Sequence, residues 1–530
     1  MIACDAGSTD SGPAALGSGI PKLSAQAVTR DLRLLLKARD ILGVPLIIGS
    51  CGTSGRDDGV DGVAALARAI AAEEDLHFTL GLIYSDQSPQ RLQNLYEADR
   101  IRPLANAPEI DRELFTRSHT VAMMGVEPIQ QALATGCDVI LAGRASDTAL
   151  FAALPHMQGA DPGLTWHMAK TIECGAACAI PPSANGLLVT LREDHFDVTT
   201  LAEGSHHPPL GRRPHSVRER RPVPHPRALR RPGHHPRYLR GRRRAHRQGR
   251  LAPASSRTEG YTNKLEGAEL VGYQTVIIGG VRDQVVIRQL PELLPMAEKY
   301  FAAKILDVFD GQVDPDSVDI NYRLYGAGAV LGPHEPTALE PAEIGVLITV
   351  TAPDQATAHA ALHIRRPRLL APAHPRVQRP GLHPRLPLLA PRDGPRPALP
   401  LHPQPRRHRR HPHRTVPHRH RRGLTMATLL DYCSLVRSKN AVPFTLTFDF
   451  MCHNEHTYRA LVGTGLLNPA LFSQMFGTDE DRILVVDHPL ALAVKVSLPR
   501  PAVQGDLRDS DCYAGQQYAP LMAMKLPDLC

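Results

Sequence analysis

The sequence has few of the features that mark membrane or secreted proteins. It contains one Trp and 5% aromatic residues, and its nine cysteines are scattered without the spacing of a disulfide framework. None of its apolar runs approaches the ~20 residues that a membrane-spanning helix requires. The first residues include neither a basic segment nor a long apolar core, so no signal peptide is predicted. These absences predict a cytoplasmic protein without a membrane partner.

Lysine is absent from two long segments that are otherwise strongly basic. Residues 205–257 contain 16 Arg, 7 His and 9 Pro with one acidic residue, and residues 363–424 contain 16 Arg, 9 His and 14 Pro with one acidic residue. The rest of the chain has 29 basic and 51 acidic residues, a net charge of −22, whereas the whole chain has +8. The basic pI of the protein therefore comes from these two segments alone.

Three interpretations of the two basic segments stay open. Arg, Pro, His, Ala and Gly are what GC-rich DNA encodes in a shifted frame, and each segment interrupts sequence that looks folded on both sides, so a frameshift is favoured. Disordered basic arms that bind nucleic acid would normally mix Lys with Arg, which makes a nucleic-acid partner unlikely. An unusual linker is the third interpretation. In each case the composition predicts disorder, because it offers too little apolar surface to offset the entropy of ordering.

Short apolar strands alternate with amphipathic helices through the first 200 residues. Ser24 and the pair Ser88-Pro89 are placed to begin helices, and Gly43 to end one. This rhythm predicts a doubly wound, mostly parallel α/β sheet, followed by a smaller α+β domain and a C-terminal α+β domain. The predicted divisions are 1–204 (α/β), 205–257 (disordered insert), 258–362 (α+β), 363–425 (disordered linker) and 426–530 (α+β).

Four polar loops follow the predicted strands, and parallel sheets bind ligands beyond the carboxyl ends of their strands. The central loop runs from Gly49 to Asp58, but its glycine spacing fits neither a dinucleotide fingerprint nor a P-loop. An anion cradle at the next helix and a plain tight turn both stay open. The predicted ligand-binding residues are Ser8, Thr9, Ser11, Gly49, Ser50, Gly52, Thr53, Ser54, Gly55, Gly143, Arg144 and Ser146.

Acidic residues recur in the same loops. Asp5, Asp10, Asp86 and Asp147 come from separate loops and are candidates for proton transfer or for binding Mg²⁺, although Asp is also common at helix caps and turns. Arg144 is the candidate clamp for a carboxylate or phosphate, with a structural pairing to Asp147 as the alternative.

Two further groups of charged residues are candidates. Lys264 and Glu266 are candidates for polarising a carbonyl and moving a proton, or form a solvated charge pair. In the tail, His453, Glu455 and His456 form a weak candidate for a divalent metal, since two His three residues apart share a helix face. Packing is the alternative role for these histidines.

Several motifs resemble a known family. MIACDAGSTDSGP, LIIGSCGTSGRDDGVDG, VILAGRASDTALFA and YTNKLEGAELVGY are similar to the acyclic terpene utilisation family (AtuA-like, DUF1446) over about residues 1–362, less the first insert. FTLTFDFMCHNEHTYR and DCYAGQQYAPL resemble a DUF4387 domain, which is often found beside that family. Because family members have further residues before the first motif, a truncated N-terminus is expected.

The resemblance implies catabolism of a branched or carboxylated small molecule, with a CoA thioester as one candidate substrate. Together with the aspartates, it predicts lyase-type proton transfer (hydration or dehydration). A non-catalytic ligand-binding or assembly subunit is the alternative. A homo-oligomer, or pairing between the AtuA-like and DUF4387-like parts, is expected.

Overall fold

The computed structural model describes residues 1–179, 185–201, 262–335, 340–364, 427–522, 524 and 526, excluding the side chains of 333, 363 and 364. The chain divides into two compact units. The first comprises 1–271, 330–334 and 430–522, and the second comprises 272–329, 335–429 and 523–530. The first unit thus includes both the predicted α/β region and most of the predicted C-terminal region. The two predicted inserts lie outside the described residues, apart from 363 and 364.

The N-terminal region builds a four-stranded parallel sheet in the order β1-β2-β5-β3. The predicted α/β fold is therefore confirmed. Its elements are β1 (Ile2–Asp5), α1 (Ala14–Ser18), α2 (Ala25–Leu42), β2 (Leu46–Gly49), α3 (Asp57–Glu74), β3 (Leu80–Ile83), α4 (Pro89–Glu97), α5 (Leu114–Arg117), β4 (Ser118–Ala122), α6 (Glu127–Ala134), β5 (Val139–Ala142), α7 (Asp147–Met157) and α8 (Pro162–Ile172).

Local capping explains where several of these helices begin and end. The side chain of Ser24 accepts a hydrogen bond from the backbone of α2, and Gly43 ends that helix at φ 60°. Ser88 caps α4 in the same way, with Pro89 at its first position. These three predictions are confirmed. The strand β3 is short, because only Leu80–Ile83 pairs with β5.

Helices cover both faces of the parallel sheet. On one face, Leu36 of α2 and Val60 of α3 pack against Ile48 of β2. On the other, Ile129 of α6 and Leu150 of α7 pack against Ile140 of β5. All six are buried. Since helices cover both faces, the strands are apolar except for Asp5, the last residue of β1, and the other polar candidates lie in the loops at the strand ends.

Two antiparallel pairs complete this part of the first unit. They are formed by β6 (Leu187–Leu191) with β7 (Phe196–Thr200), and by β4 with β8 (Leu265–Glu269). In the second pair Glu266 lies opposite Val121. This pairing anchors β8, which comes from far along the chain, against the α/β region.

The second unit is a three-stranded antiparallel sheet with two helices. Its elements are β9 (Tyr273–Val281), α9 (Gln284–Val308), β10 (Asp319–Tyr325), β11 (Ile344–Ala352) and α10 (Gln355–Ile364), in the strand order β10-β11-β9. His363 and Ile364 form the end of α10, so the helix extends two residues past the predicted start of the second insert.

The C-terminal segment of the first unit adds a four-stranded antiparallel sheet in the order β12-β13-β15-β14. Its elements are α11 (Leu429–Tyr432), β12 (Cys433–Asn440), β13 (Thr445–Cys452), α12 (Glu455–Gly463), α13 (Pro469–Phe476), β14 (Leu484–His488), β15 (Ala493–Pro499) and α14 (Ala519–Met522). Phe448 and Phe450 of β13 pack on Phe472 of α13. In the described part of the chain, no helix is both long and apolar enough to cross a bilayer.

Candidate functional site

The four predicted loops meet at one edge of the parallel sheet. In the register of the strands, Asp5 lies beside Gly49, and Ile83 beside Ala142, so each loop begins where a strand ends on the same side. The backbones also connect: Ser50 N donates to Gly143 O, and Arg144 N donates to Gly55 O. The edge is therefore a continuous layer of loops.

The most buried charge in this layer is Arg144. Its Nε donates to Glu266 Oε2 at 2.8 Å, and Nη2 lies 3.4 Å from Glu266 Oε1. The Arg144 and Glu266 side chains are 5% and 9% exposed. Lys264 Nζ and Thr9 Oγ1 also donate to the Glu266 carboxylate, at 2.5 and 3.1 Å. Burial alone would raise the pKa of Glu266, but Arg144 and Lys264 outweigh it and lower that pKa to about 2.

The guanidinium of Arg144 is occupied by the protein itself. Besides Glu266, its Nη1 donates to Ser50 Oγ at 3.1 Å and to the carbonyl of Ala145 at 3.2 Å. Ser50 is buried and sits at φ 50°, a conformation that costs a non-glycine residue energy and that persists here where its hydroxyl meets Arg144. The partner of Arg144 is thus Glu266, rather than the predicted Asp147.

Asp5 is the group in this layer best suited to exchange a proton. Burial, and then the charge of Asp147, raise its pKa to about 7, against the opposing effects of the Ser50 hydroxyl, Arg144 and the Gly7 N–H. Its Oδ1 is buried and has no hydrogen-bond partner. A buried carboxyl oxygen without a partner is costly when ionised, so the protonated form persists to near-neutral pH.

Beside Asp5 lies a second acidic group that includes a residue not predicted from the sequence. Burial raises the pKa of Asp147 and of Glu173, and the charge of Asp10 raises each of them further. The Glu173 side chain is 5% exposed, and one oxygen bonds Lys170 Nζ at 2.7 Å. The other oxygen, Oε2, is buried without a partner. The one sign of Glu173 in the sequence was its position three residues after Lys170, at the end of helix α8.

Asp86 has a different environment from Asp5 and Asp147. Its Oδ1 accepts from the backbone N of Asp57, the first residue of α3, at 3.2 Å, and His119 Nε2 lies 2.9 Å from its Oδ2. In return, Asp57 Oδ1 accepts from the backbone N–H groups of Ser85 and Asp86. The N-terminus of α3, which was predicted as an anion cradle or a tight turn, is therefore bonded to a carboxylate of the protein itself.

The glycines of the central loops allow close packing of backbone. A Cβ on Gly55, at φ +74°, would lie 2.3 Å from the backbone N of Arg144, and one on Gly52 would lie 2.5 Å from Gly59. A Cβ on Gly49 would meet Leu150 at 2.6 Å, and one on Gly143 would meet Ser85 Oγ at 2.5 Å. Each glycine that was predicted to bind a ligand thus has a steric role: Gly55 and Gly143 allow contact between loops, and Gly49 and Gly52 allow contact with helices.

The hydroxyl residues of the predicted site have mixed surroundings. Thr53 Oγ1 accepts from the backbone N of Lys22, and Ser54 Oγ donates to the carbonyl of Ala15. Ser8 Oγ accepts from the backbone N of Asp10, and Ser146 bonds the hydroxyl of Thr148. Ser11 is half-buried and Asp10 is exposed. Of the predicted hydroxyl residues, Ser50 bonds the side chain of Arg144 and Thr9 bonds that of Glu266.

The predicted helix face of His453 and His456 is wrong. His453 precedes α12, its neighbour Asn454 caps that helix, and its Nε2 lies 3.0 Å from the carbonyl of Leu430. Glu455 pairs with Arg459 one turn along the helix. Because His453 is outside the helix, the three-residue spacing does not put the two histidines on a common helix face. Within the described residues, no group of three or more His, Cys, Asp or Glu is arranged to hold a metal ion.

The fold and the site define an α/β protein whose loops gather acidic residues around a buried arginine. Residues 53–175 match the family model described as acyclic terpene utilisation family protein AtuA, and residues 429–525 match the model of the domain of unknown function DUF4387. The two matches concern the two families that the motifs resemble, in the same order along the chain. No curated protein and no solved structure matches it significantly. The AtuA match includes Arg144, Asp147 and Glu173, whereas Asp5 and Glu266 lie outside it.

Proposed function

We propose that the protein is an enzyme of small-molecule catabolism that moves a proton at a carbonyl compound, in a lyase-type hydration or dehydration. The observation that carries this proposal is Asp5, a buried carboxyl with an unpartnered oxygen and a pKa of about 7. A general acid or base works best when its pKa is near the operating pH. The name of the matching family model directs the search toward acyclic terpenes and the branched acyl compounds derived from them.

The charges around Asp5 favour an uncharged reacting group. The charge of Asp147 acts on Asp5, that of Asp10 acts on Asp147, and the cations Arg144 and Lys264 are both bonded to Glu266. A free carboxylate at this point would meet like charges, which is unfavourable in a partly buried site. A thioester carbonyl is neutral. Of the two substrate classes, small branched carboxylates and acyl-CoA thioesters, the thioester is therefore preferred.

Each charged residue then has a distinct role. Asp5 carries the proton, and the charge of Asp147 adds to burial in holding its pKa high. Glu173, on which the charge of Asp147 also acts, is the proposed proton relay. Glu266 stays ionised, so it positions Arg144, Lys264 and Thr9 rather than donating a proton. Asp86 stabilises the loop before α4 and the start of α3. The separation of carboxyls that are protonated from carboxyls that are ionised is how active sites assign acid and base roles.

The test is a turnover screen of branched acyl-CoA thioesters and the corresponding free acids with the full chain. Asp5→Asn should lower kcat/KM by about 10²–10⁴, the usual contribution of a general acid or base. The matched control is Asp99→Asn, a carboxyl that is 80% exposed, which should change nothing. Full activity of Asp5→Asn or of Asp147→Asn on any substrate found would contradict the proposal. Tight binding of a ligand without turnover would favour a ligand-binding subunit instead.

A further inference from the structure

The C-terminal segment of the first unit bonds directly to the loop that follows β1. Gln504 lies between β15 and α14, and its side chain is buried. Its Nε2 donates to the carbonyl of Asp10 at 2.6 Å and to the carbonyl of Cys512 at 3.1 Å. One side-chain amide thus ties the loop after β1 to the C-terminal segment, and the two are 494 residues apart in sequence.

The loop that presents Gln504 is itself held by a buried arginine. Arg500 Nη2 donates to Asp509 Oδ1 at 2.7 Å and to the carbonyl of Asp511 at 3.1 Å, and its Nε donates to the carbonyl of Ala502 at 3.0 Å. The Arg500 and Asp509 side chains are 5% and 4% exposed. Because these bonds fix both ends of residues 502–511, Gln504 is presented in one position.

Backbone contacts around Gln504 are closer than ordinary side chains would allow. Gly505 is at φ +81°, and a Cβ there would lie 2.1 Å from the ring of Pro13. On the facing side, Gly12 is at φ +106°, and a Cβ there would lie 3.0 Å from Cys512 Sγ. The two glycines let the C-terminal loop and the loop after β1 pack against each other along residues 10–13.

The loop after β1 links this contact to the site. It begins at Asp5, and Thr9, next to Asp10, donates its hydroxyl to Glu266, the partner of Arg144. The C-terminal segment also brings a positive charge: burial, Lys495 and Arg437 lower the pKa of Lys439 of β12, and Asp449 and then Asp10 partly offset this. Both the backbone and the electrostatics of the loop thus depend on the C-terminal segment.

We infer that the DUF4387 segment is part of the candidate site, and that Gln504 is a positioning residue that holds the loop 6–13, and through it Asp5 and Thr9, in working geometry. This inference rests on the proposed function for its catalytic meaning. The contact itself makes a separate prediction about the order of the loop. Because loop order and catalytic activity are measured separately, the inference and the proposed function can fail independently.

The experiment compares Gln504→Met, which keeps the size of the side chain and removes the donor, with Gln516→Met, an exposed glutamine on the same segment. Hydrogen exchange of the amides of residues 7–12 should become at least about tenfold faster in the first variant only. The titration midpoint of Asp5, followed by infrared difference spectroscopy and assigned with Asp5→Asn, should shift by about 0.5 unit or more. Unchanged exchange and an unchanged midpoint would overturn the inference.

A second variant covers the case in which Gln504→Met does not fold. Gln504→Glu keeps the shape of the side chain, and its carboxyl regains a donor when it is protonated. Protection of the amides of residues 7–12 should therefore return as the pH falls through the pKa of this carboxyl. Protection that does not depend on pH would also overturn the inference. If Gln504→Met loosens the loop while Asp5→Asn keeps full activity, the positioning contact stands and the proposed function fails.

Discussion

Glu266 and Arg144 form a nearly buried ion pair across 122 residues of sequence, with Nε and Oε2 2.8 Å apart. Arg144 follows β5, the last of the four parallel strands in sequence. Glu266 lies on β8, which pairs with β4 outside that sheet. The pair therefore joins two sheets. Burying two charges is unfavourable by itself. Here Lys264 and Thr9 donate to Glu266, and Ser50 and the carbonyl of Ala145 accept from Arg144, which offsets that cost.

Removing one member of this pair should be strongly destabilising. Arg144→Met leaves the Glu266 carboxylate buried with fewer partners, and the expected loss in the free energy of unfolding is about 3–5 kcal/mol. Urea denaturation at pH 7 measures it. Arg30→Met is the control, because the Arg30 side chain in its ion pair is 75% exposed, and it should cost less than about 1 kcal/mol. Equal losses in the two variants would contradict the buried-pair interpretation.

The raised pKa of Asp5 predicts an unusual dependence of stability on pH. Between its ordinary value of 3.8 and about 7, the folded state binds a proton that the unfolded state has released. Its contribution to stability is therefore complete below pH 3.8 and is lost as the pH rises through 7. Asp5→Asn removes this dependence on pH. The free energy of unfolding of the variant, relative to wild type, should therefore rise between pH 4 and pH 8, by at most about 4 kcal/mol.

Urea midpoints at pH 4, 6 and 8 test this slope. Asp99→Asn should follow wild type at each pH, since the side chain of Asp99 is 80% exposed. Parallel curves for wild type and Asp5→Asn would show that Asp5 ionises normally in the folded protein.

Asp86 and Asp5 should behave in opposite ways when they are substituted. Asp86 accepts from the first N–H of α3 and contacts His119, so Asp86→Ala should cost about 1–2 kcal/mol of stability, as for a lost helix cap. Its effect on kcat should be small beside that of Asp5→Asn. Thermal unfolding and turnover measured on the same preparations separate the two. A large loss of kcat in Asp86→Ala at unchanged KM and stability would instead show that Asp86 takes part in the reaction.

The sheet and its loops could be predicted from sequence, whereas the pairing of charges could not. Apolar strands and the caps at Ser24 and Ser88 are local signals, and they placed the loops on one edge. Glu266 reaches Arg144 only because β8 pairs with β4, a long-range contact that no local pattern encodes. Glu173 was missed because burial, which raises its pKa, is a tertiary property. The His453–His456 spacing misled because one residue lies before the helix.

Two glycines of the same region should respond in opposite directions to alanine. Gly55→Ala places a methyl group 2.3 Å from the backbone N of Arg144 at φ +74°, so it should lose about 2–4 kcal/mol. Gly62 is exposed within α3 and has nothing within 4 Å, so Gly62→Ala should gain about 0.5–1 kcal/mol. Chemical denaturation measures both. A neutral Gly55→Ala would mean that the loops after β2 and β5 are not packed as described.

The two lysine-free segments make a prediction about the gene. If residues 205–257 and 363–424 are translated out of frame, single-base corrections of the coding DNA should restore Lys-containing sequence with apolar periodicity across both. Sequencing the coding DNA tests this directly. Mass spectrometry of the native protein should then miss the peptides of the present segments. Finding those peptides, or finding no frame with a folded pattern, would instead support basic arms, and a salt-dependent affinity for nucleic acid would follow from their 32 arginines.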